Sequence, residues 1–258
     1  MGNESKTALI TGASAGLGLE FARQLAEAGY RLVLVARKME NLETAARELE
    51  ARGASVEVIS SDLSDPAAPQ ALFDEVQRRG LQIDYLVNNA DIARPNLLDE
   101  TDWSKQQQFF QLMMLSIAHL CHLFIPPMQA RGFGRVINIA SVAGRLARAG
   151  GCNYGPTKAW VIALSEELAL TVAKDGVNVS ALCPGFTHTE FHERAGLMDM
   201  KNASPNWLWY DADVVVREGI RAAEKGKRVY SSGRLYRLLD PLFQSVFTRG
   251  LFTMSDGR

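Results

Sequence analysis

Short apolar runs alternate with amphipathic stretches along most of the chain. Residues 7–10 are apolar and end at Thr11 and Gly12. Over 16–28, Leu17, Phe21, Leu25 and Ala28 recur at helical spacing and share one face. Arg31–Ala36 reads as a buried strand, 39–52 as a charged amphipathic helix and Val56–Ser60 as a third strand. A helix over 66–79, with proline near its start, and a strand at Tyr85–Asn88 complete the first half. The second half predicts a long helix over 102–125 ending at Pro126 and Pro127, a strand over 135–140, a helix over 153–174 and a strand at Val177–Cys183. After an irregular stretch over 186–210 come a helix at 211–224 and a short strand at 227–231. Apolar strands alternating with helices predict βαβ units and a parallel sheet buried on both faces. The expected fold is α/β, a doubly wound seven-stranded parallel sheet in three layers. Without an internal repeat or linker, residues 1–258 read as one domain.

The tail, 234–258, departs from this alternation. Leu235, Leu238, Leu239, Leu242, Phe243, Val246 and Phe247 follow an apolar helical spacing. Asp240 followed by Pro241 reads as an N-cap and a first helical position, so two short helices are expected. Two uses of the stripe stay open. It packs on the domain or a second subunit, or it meets a membrane surface with help from Arg234, Arg237 and Arg249.

Composition narrows the classes. With 258 residues, 47% hydrophobic and 22% charged, the chain can bury a large core without staples. Its 28 basic and 29 acidic residues give a net charge of −1, which argues against nucleic acid held by bulk charge. Cys121, Cys152 and Cys183 are odd in number and form no CxxC pair, so a reducing cytoplasm is expected, with no disulfide framework. The polar start predicts no signal peptide. The longest apolar stretches are expected to fall short of a membrane span. His119 with His122, and His188 with His192, have metal-compatible spacing, but no cysteine or carboxylate pattern completes a site.

Between the first strand and first helix lies Thr11-Gly12-Ala13-Ser14-Ala15-Gly16-Leu17-Gly18. Glycines there let the backbone approach a pyrophosphate, and the next helix offers its free N–H groups and positive dipole end. The spacing GxxxGxG, placed after a strand and before a helix, resembles the short-chain dehydrogenase/reductase family, whose motif is TGxxxGxG. The resemblance runs from Thr7 to about Ser232. It implies a nicotinamide cofactor bound by Gly12, Ser14, Ala15, Gly16, Leu17 and Gly18. At the end of the second strand, Arg37 replaces the acidic residue that would bind a ribose 2′-hydroxyl. Arg37, Lys38 or Ser14 can pair with a 2′-phosphate, which predicts NADP(H) over NAD(H); a merely solvated Arg37 is the other reading. Asp62 and Leu63 match the family position beside the adenine. Asn88-Asn89-Ala90 matches its NNAG motif, except that Asp91 stands in place of glycine.

Tyr154 and Lys158 form a YxxxK pair, one helical turn apart on one face. A lysine cation there is expected to lower the phenol pKa from about 10 toward useful values. Tyr154 would then move a proton to or from a carbonyl oxygen, with Ser141, thirteen residues upstream, orienting that oxygen. The resemblance adds that Lys158 binds the nicotinamide ribose. It also implies an asparagine on the preceding long helix, where this chain has Met113; Ser116 or Gln111 are the candidates to replace it. After the sixth strand, Pro184, Gly185, Phe186, Thr187 and Thr189 match the family segment that holds the nicotinamide.

The same resemblance places 186–210 over the substrate. Asp91, Met113, His188, Phe191 and Trp207 are the candidate substrate contacts. The apolar content of the segment predicts a hydrophobic ketone or alcohol, although Trp207 and Trp209 equally read as anchors to the core. The predicted activity is an NADP(H)-dependent interconversion of carbonyl and alcohol. A catalytically weak nucleotide-binding sensor or scaffold is the alternative. Family members associate through their long helices, so a homodimer or homotetramer is expected. The absence of the family's frequent YITG-type segment favours the dimer.

Overall fold

The computed structural model describes residues 5–92, 96–147, 149, 152–189, 205–248 and 251. Among them, β1 (Thr7–Thr11), β2 (Arg31–Ala36), β3 (Val56–Ser60), β4 (Tyr85–Asn88), β5 (Gly134–Ile139), β6 (Val177–Cys183) and β9 (Val229–Ser231) form one parallel sheet in the order β3-β2-β1-β4-β5-β6-β9. Two-residue strands β7 (Thr187–His188) and β8 (Tyr210–Asp211) pair with each other beside it. The inner strands β1, β2 and β4 are buried along nearly their whole length because both faces are covered. On one face, α1 (Gly16–Glu27), α2 (Met39–Glu50) and α7 (Ala212–Glu224) bury Phe21, Leu42, Val215 and Val216. On the other, α3 (Ala68–Arg78), α5 (Ser116–Arg131) and α6 (Tyr154–Val172) bury Leu72, Phe124 and Val161. Strand order reverses between β1 and β4, which opens a crevice at the carboxyl ends of the strands.

The three-layer expectation holds, and several local expectations do not. The long helix does not stop at Pro126. It runs as α4 (Trp103–Phe110), a π-helical segment (Gln111–Leu115) and α5, which ends at Arg131 against left-handed Gly132. Pro126 is exposed, so water can serve the carbonyl left unpaired by its ring, while buried Phe124, Ile125 and Met128 hold the last turns down. The same run, Trp103–Arg131, is long and apolar enough to cross a membrane, contrary to expectation, because no charged residue falls between Lys105 and Arg131. Half of that stretch is buried, with Leu120, Cys121 and Phe124 in the core.

Among the described residues up to Thr248, the tail forms one helix, α8 (Arg234–Gln244), which runs through Asp240 and Pro241 instead of breaking there. Asp240 does not cap. Its carboxylate takes two hydrogen bonds from Arg145, at 2.7 and 2.6 Å, and this ties α8 to the loop after β5. The apolar stripe divides. Its Phe243 is buried, as is Tyr236 next to the stripe, while Leu238, Leu242, Val246 and Phe247 are exposed. The helix over 66–79 begins at Ala68, with Pro69 rather than Pro66 in its first turn.

Candidate active site

At the nucleotide end the loop after β1 is closed by its own contacts. Gly12 is left-handed, at φ 66°. A Cβ on Gly18 would collide with the Gly12 carbonyl, so the turn admits only glycine there. The Asn89 side chain donates to the carbonyls of Thr11 and Gly12, at 3.0 and 3.2 Å. The Thr11 hydroxyl accepts from the backbone N–H groups of Asn89 and Ala90, at 2.9 and 3.0 Å. Asn89 therefore braces the loop from β4, a role that the motif alone did not specify.

Helix α1 starts without a side-chain cap at Ala15 and without an acidic residue in its first turn. Its first N–H groups therefore meet an anion without competition. Ser14, Ala15, Gly16, His188 and Thr189 border a cleft of about 680 Å³. Leu17 packs partly into the core and Leu63 fully, so the Leu63 side chain faces the interior. Arg37 and Asp62 line a smaller pocket of about 130 Å³ with Ile92 and Phe109. Arg37 and Lys38 are exposed, and no carboxylate among the described residues lies within ion-pair distance of either. An uncapped first turn on α1 and a guanidinium without a carboxylate partner beside a small pocket fit the phosphate groups of a dinucleotide.

At the catalytic end, β5 delivers Ser141 and α6 delivers Tyr154 and Lys158. Ser141 is extended and begins a 3-10 turn (Val142–Gly144), where its Oγ accepts from the Ala143 N–H at 3.1 Å. That turn lies on α6: a Cβ on Gly144 would stand 2.7 Å from the Ala159 nitrogen. The close approach sets the Ser141 hydroxyl near Tyr154, where it favours the ionised phenol. The N–H of Val142 donates to the Pro184 carbonyl at 3.0 Å, joining the turn to the segment after β6. Asn153 caps α6 by accepting from the Tyr154 N–H at 2.7 Å, and its amide donates to buried Gln106 at 3.3 Å. Deeper, Asn88 donates to Asn138 at 2.8 Å and Asn138 donates to Ser165 at 2.9 Å, fastening β4 and β5 to α6. Sequence reasoning missed the roles of Asn153, Gln106 and this chain, because each depends on partners far away along the sequence.

Lys158 is 1% exposed. Its Nζ donates to the Ile139 carbonyl at 2.9 Å and forms an ion pair with Asp91 Oδ2, also at 2.9 Å. The Tyr154 hydroxyl donates to the same Asp91 oxygen at 3.4 Å. Asp91 thus contacts both Tyr154 and Lys158, although no described residue other than glycine has positive φ and no special backbone favours an aspartate there. The net shift of Tyr154 runs opposite to the one expected from Lys158. Burial pushes the Tyr154 phenol well above its ordinary value, the Asp91 carboxylate adds to this, and the Ser141 hydrogen bond opposes it.

Met113 is 0% exposed within the π segment, so its side chain has no free surface for a substrate. The Ser116 hydroxyl donates to the Leu112 carbonyl at 2.7 Å and so does not replace the missing asparagine as a donor. After β6, Thr187 is buried and its hydroxyl donates to the Gly185 carbonyl at 3.1 Å. Phe186 and His188 both stack on Trp209, at centroid distances of 5.1 and 5.2 Å. Trp209 is 7% exposed and Trp207 is 66% exposed, so Trp209 anchors the segment and Trp207 faces outward. From α8, the Tyr236 hydroxyl accepts from the Phe186 N–H at 3.3 Å and donates to the Leu208 carbonyl at 3.1 Å. Gly185 lies directly against the Tyr236 ring. The tail therefore braces the site, a link that its apolar spacing did not reveal. Phe191 and His192 lie outside the described residues. No cluster of metal-ligating side chains occurs among the described residues.

The chain matches the family model described as short chain dehydrogenase over residues 6–199. It is 34% identical over 183 residues to 3-oxoacyl-(acyl-carrier-protein) reductase FabG of Staphylococcus aureus, covering 70% of this chain and 74% of the relative. With the Escherichia coli protein of the same name it shares 31% identity over 204 residues, 77% of this chain and 82% of the relative. Among solved structures, a short-chain dehydrogenase from Sphingobium yanoikuyae in complex with NADPH superposes with a TM-score of 0.79 at 30% identity. That match covers 95% of this chain and 94% of the other.

Proposed function

Because the chain belongs to the short-chain dehydrogenase family, we propose that it is an NADP(H)-dependent oxidoreductase interconverting a ketone or aldehyde with an alcohol. The convergence of Ser141 and Lys158 on Tyr154 carries this reading. A bound nicotinamide supplies or accepts the hydride. Ser141 orients the carbonyl oxygen, and Tyr154 gives that oxygen its proton or takes it back. Lys158 holds the ribose hydroxyls, and Gly185, Phe186 and Thr189 border the nicotinamide. Arg37, with Lys38 and Ser14 near it, meets the 2′-phosphate. The NADPH bound to the Sphingobium yanoikuyae relative supports the same cofactor choice. Exposed Trp207, in the segment that family likeness assigns to the substrate, supports a hydrophobic substrate. Exposed Leu115 and Leu170 on the long helices support a homo-oligomer, and the three free cysteines a reducing compartment.

The test is NADPH consumption over a panel of ketones and aldehydes, with Tyr154→Phe as control. Turnover that vanishes in Tyr154→Phe is expected. Tight NADPH binding without Tyr154-dependent turnover would overturn it in favour of a nucleotide-binding sensor, the reading favoured by the carboxylate on Lys158.

A further inference from the structure

Asp91 brings a negative charge to the one place in this fold where a phenol must give and take a proton. Its Oδ2 is shared between Lys158 Nζ at 2.9 Å and the Tyr154 hydroxyl at 3.4 Å, while its Oδ1 is buried without a hydrogen bond. The net charge of this cluster sets the cost of ionising the phenol. With glycine at this position, Lys158 alone would face Tyr154, and ionising the phenol would turn a buried positive cluster neutral. With Asp91 present, Lys158 and Asp91 already cancel, and ionising the phenol would leave a net negative charge out of water. The second change is the costlier one.

We propose that Asp91 is a positioning residue that cancels the charge of Lys158 beside Tyr154 and thereby sets the pH range over which Tyr154 serves as proton donor. This rests on the role given to Tyr154 above. In reduction the Tyr154 O–H bond breaks, the carbonyl oxygen takes that proton, and the carbon takes the hydride of the established family reaction. The equilibrium between the two directions is unchanged, so the limits of reduction and oxidation move together along the pH axis.

No other described group competes for this role. From β6, Cys183 lies within electrostatic reach of Lys158, but burial pushes its thiol up to about 12, so it adds no charge. Arg145, after the Ser141 turn, is matched by Asp240 of α8 at 2.6 Å. Glu166 of α6 acts on Cys183 and Arg145. The π segment that packs on α6 is Gln111–Leu115, which carries no ionisable side chain.

The experiment is an alkaline titration of tyrosinate absorbance in the cofactor-free protein, with Tyr154→Phe subtracted to isolate Tyr154. It is repeated in Asp91→Asn, Asp91→Gly and Asp91→Glu, each checked for folding by thermal unfolding. The expected result is Tyr154 ionisation at least one pH unit lower in folded Asp91→Asn and Asp91→Gly, a tenfold change in the ionisation constant. Asp91→Glu should restore an alkaline titration. The alkaline fall of carbonyl reduction should move by the same interval. Superimposable Tyr154 titrations in wild type, Asp91→Asn and Asp91→Gly would overturn the proposal. The titration needs no turnover, so failure to find a substrate contradicts the proposed activity without obscuring this result.

Discussion

At the nucleotide end, Thr11, Gly12, Gly18 and Asn89 use their polar groups and their lack of side-chain bulk on one another. At the catalytic end, Tyr154, Lys158 and Asp91 converge from two elements and leave a buried carboxylate oxygen unpaired. The first region is fixed by close packing of backbone, so its tolerances are steric. The second is fixed by a balance of buried charges, so its tolerances are electrostatic. Substitutions should therefore fail differently in the two places.

The largest effect should come from Tyr154→Phe, which removes the proton donor and keeps the ring. Turnover is expected to fall about 10³-fold while NADPH affinity stays near wild type, as read by steady-state rates beside NADPH fluorescence titration. Equal loss of both would erase the distinction between the two regions. Next, Gly18→Val drives a side chain into the Gly12 carbonyl. It should destabilise the fold by about 1–3 kcal/mol in urea and abolish saturable NADPH binding. A variant that binds NADPH normally would show that the loop is not sterically fixed.

Arg37→Ala should be milder. It removes a charge-assisted contact worth about 1.5–3 kcal/mol, so the NADPH constant weakens by about tenfold or more while the NADH constant holds. Parallel loss for both cofactors would assign Arg37 to general structure. The smallest effect is expected for Tyr236→Phe, which removes the bonds to Phe186 and Leu208. A loss of about 1 kcal/mol should appear as a lower Tm. A larger effect on KM than on kcat would mark α8 as a brace of the substrate segment.

These contrasts track how far apart in the chain the interacting residues lie. The layers were legible because the inner strands are short apolar runs and helices such as α1 and α2 carry a periodic face. The glycine loop and the YxxxK pair were legible because their parts lie within one turn of chain. The helix end at Pro126 was misplaced because core packing, absent from a local pattern, outweighs the lost backbone bond. Asp240 was misread as a cap because Arg145, its true partner, lies ninety-five residues away. The upward shift of Tyr154 has the same origin: the burial that chiefly causes it and the Asp91 carboxylate that adds to it come from segments remote in sequence.

The central claim is that Tyr154 supplies the proton as a carbonyl is reduced at the expense of NADPH. Single-turnover absorbance measurements on wild type and Tyr154→Phe, each preloaded with NADPH and mixed with a reducible ketone, test it most directly. Rapid loss of the reduced-nicotinamide signal is expected in wild type, and loss about 10³-fold slower in Tyr154→Phe. Equal rates in the two proteins would contradict it.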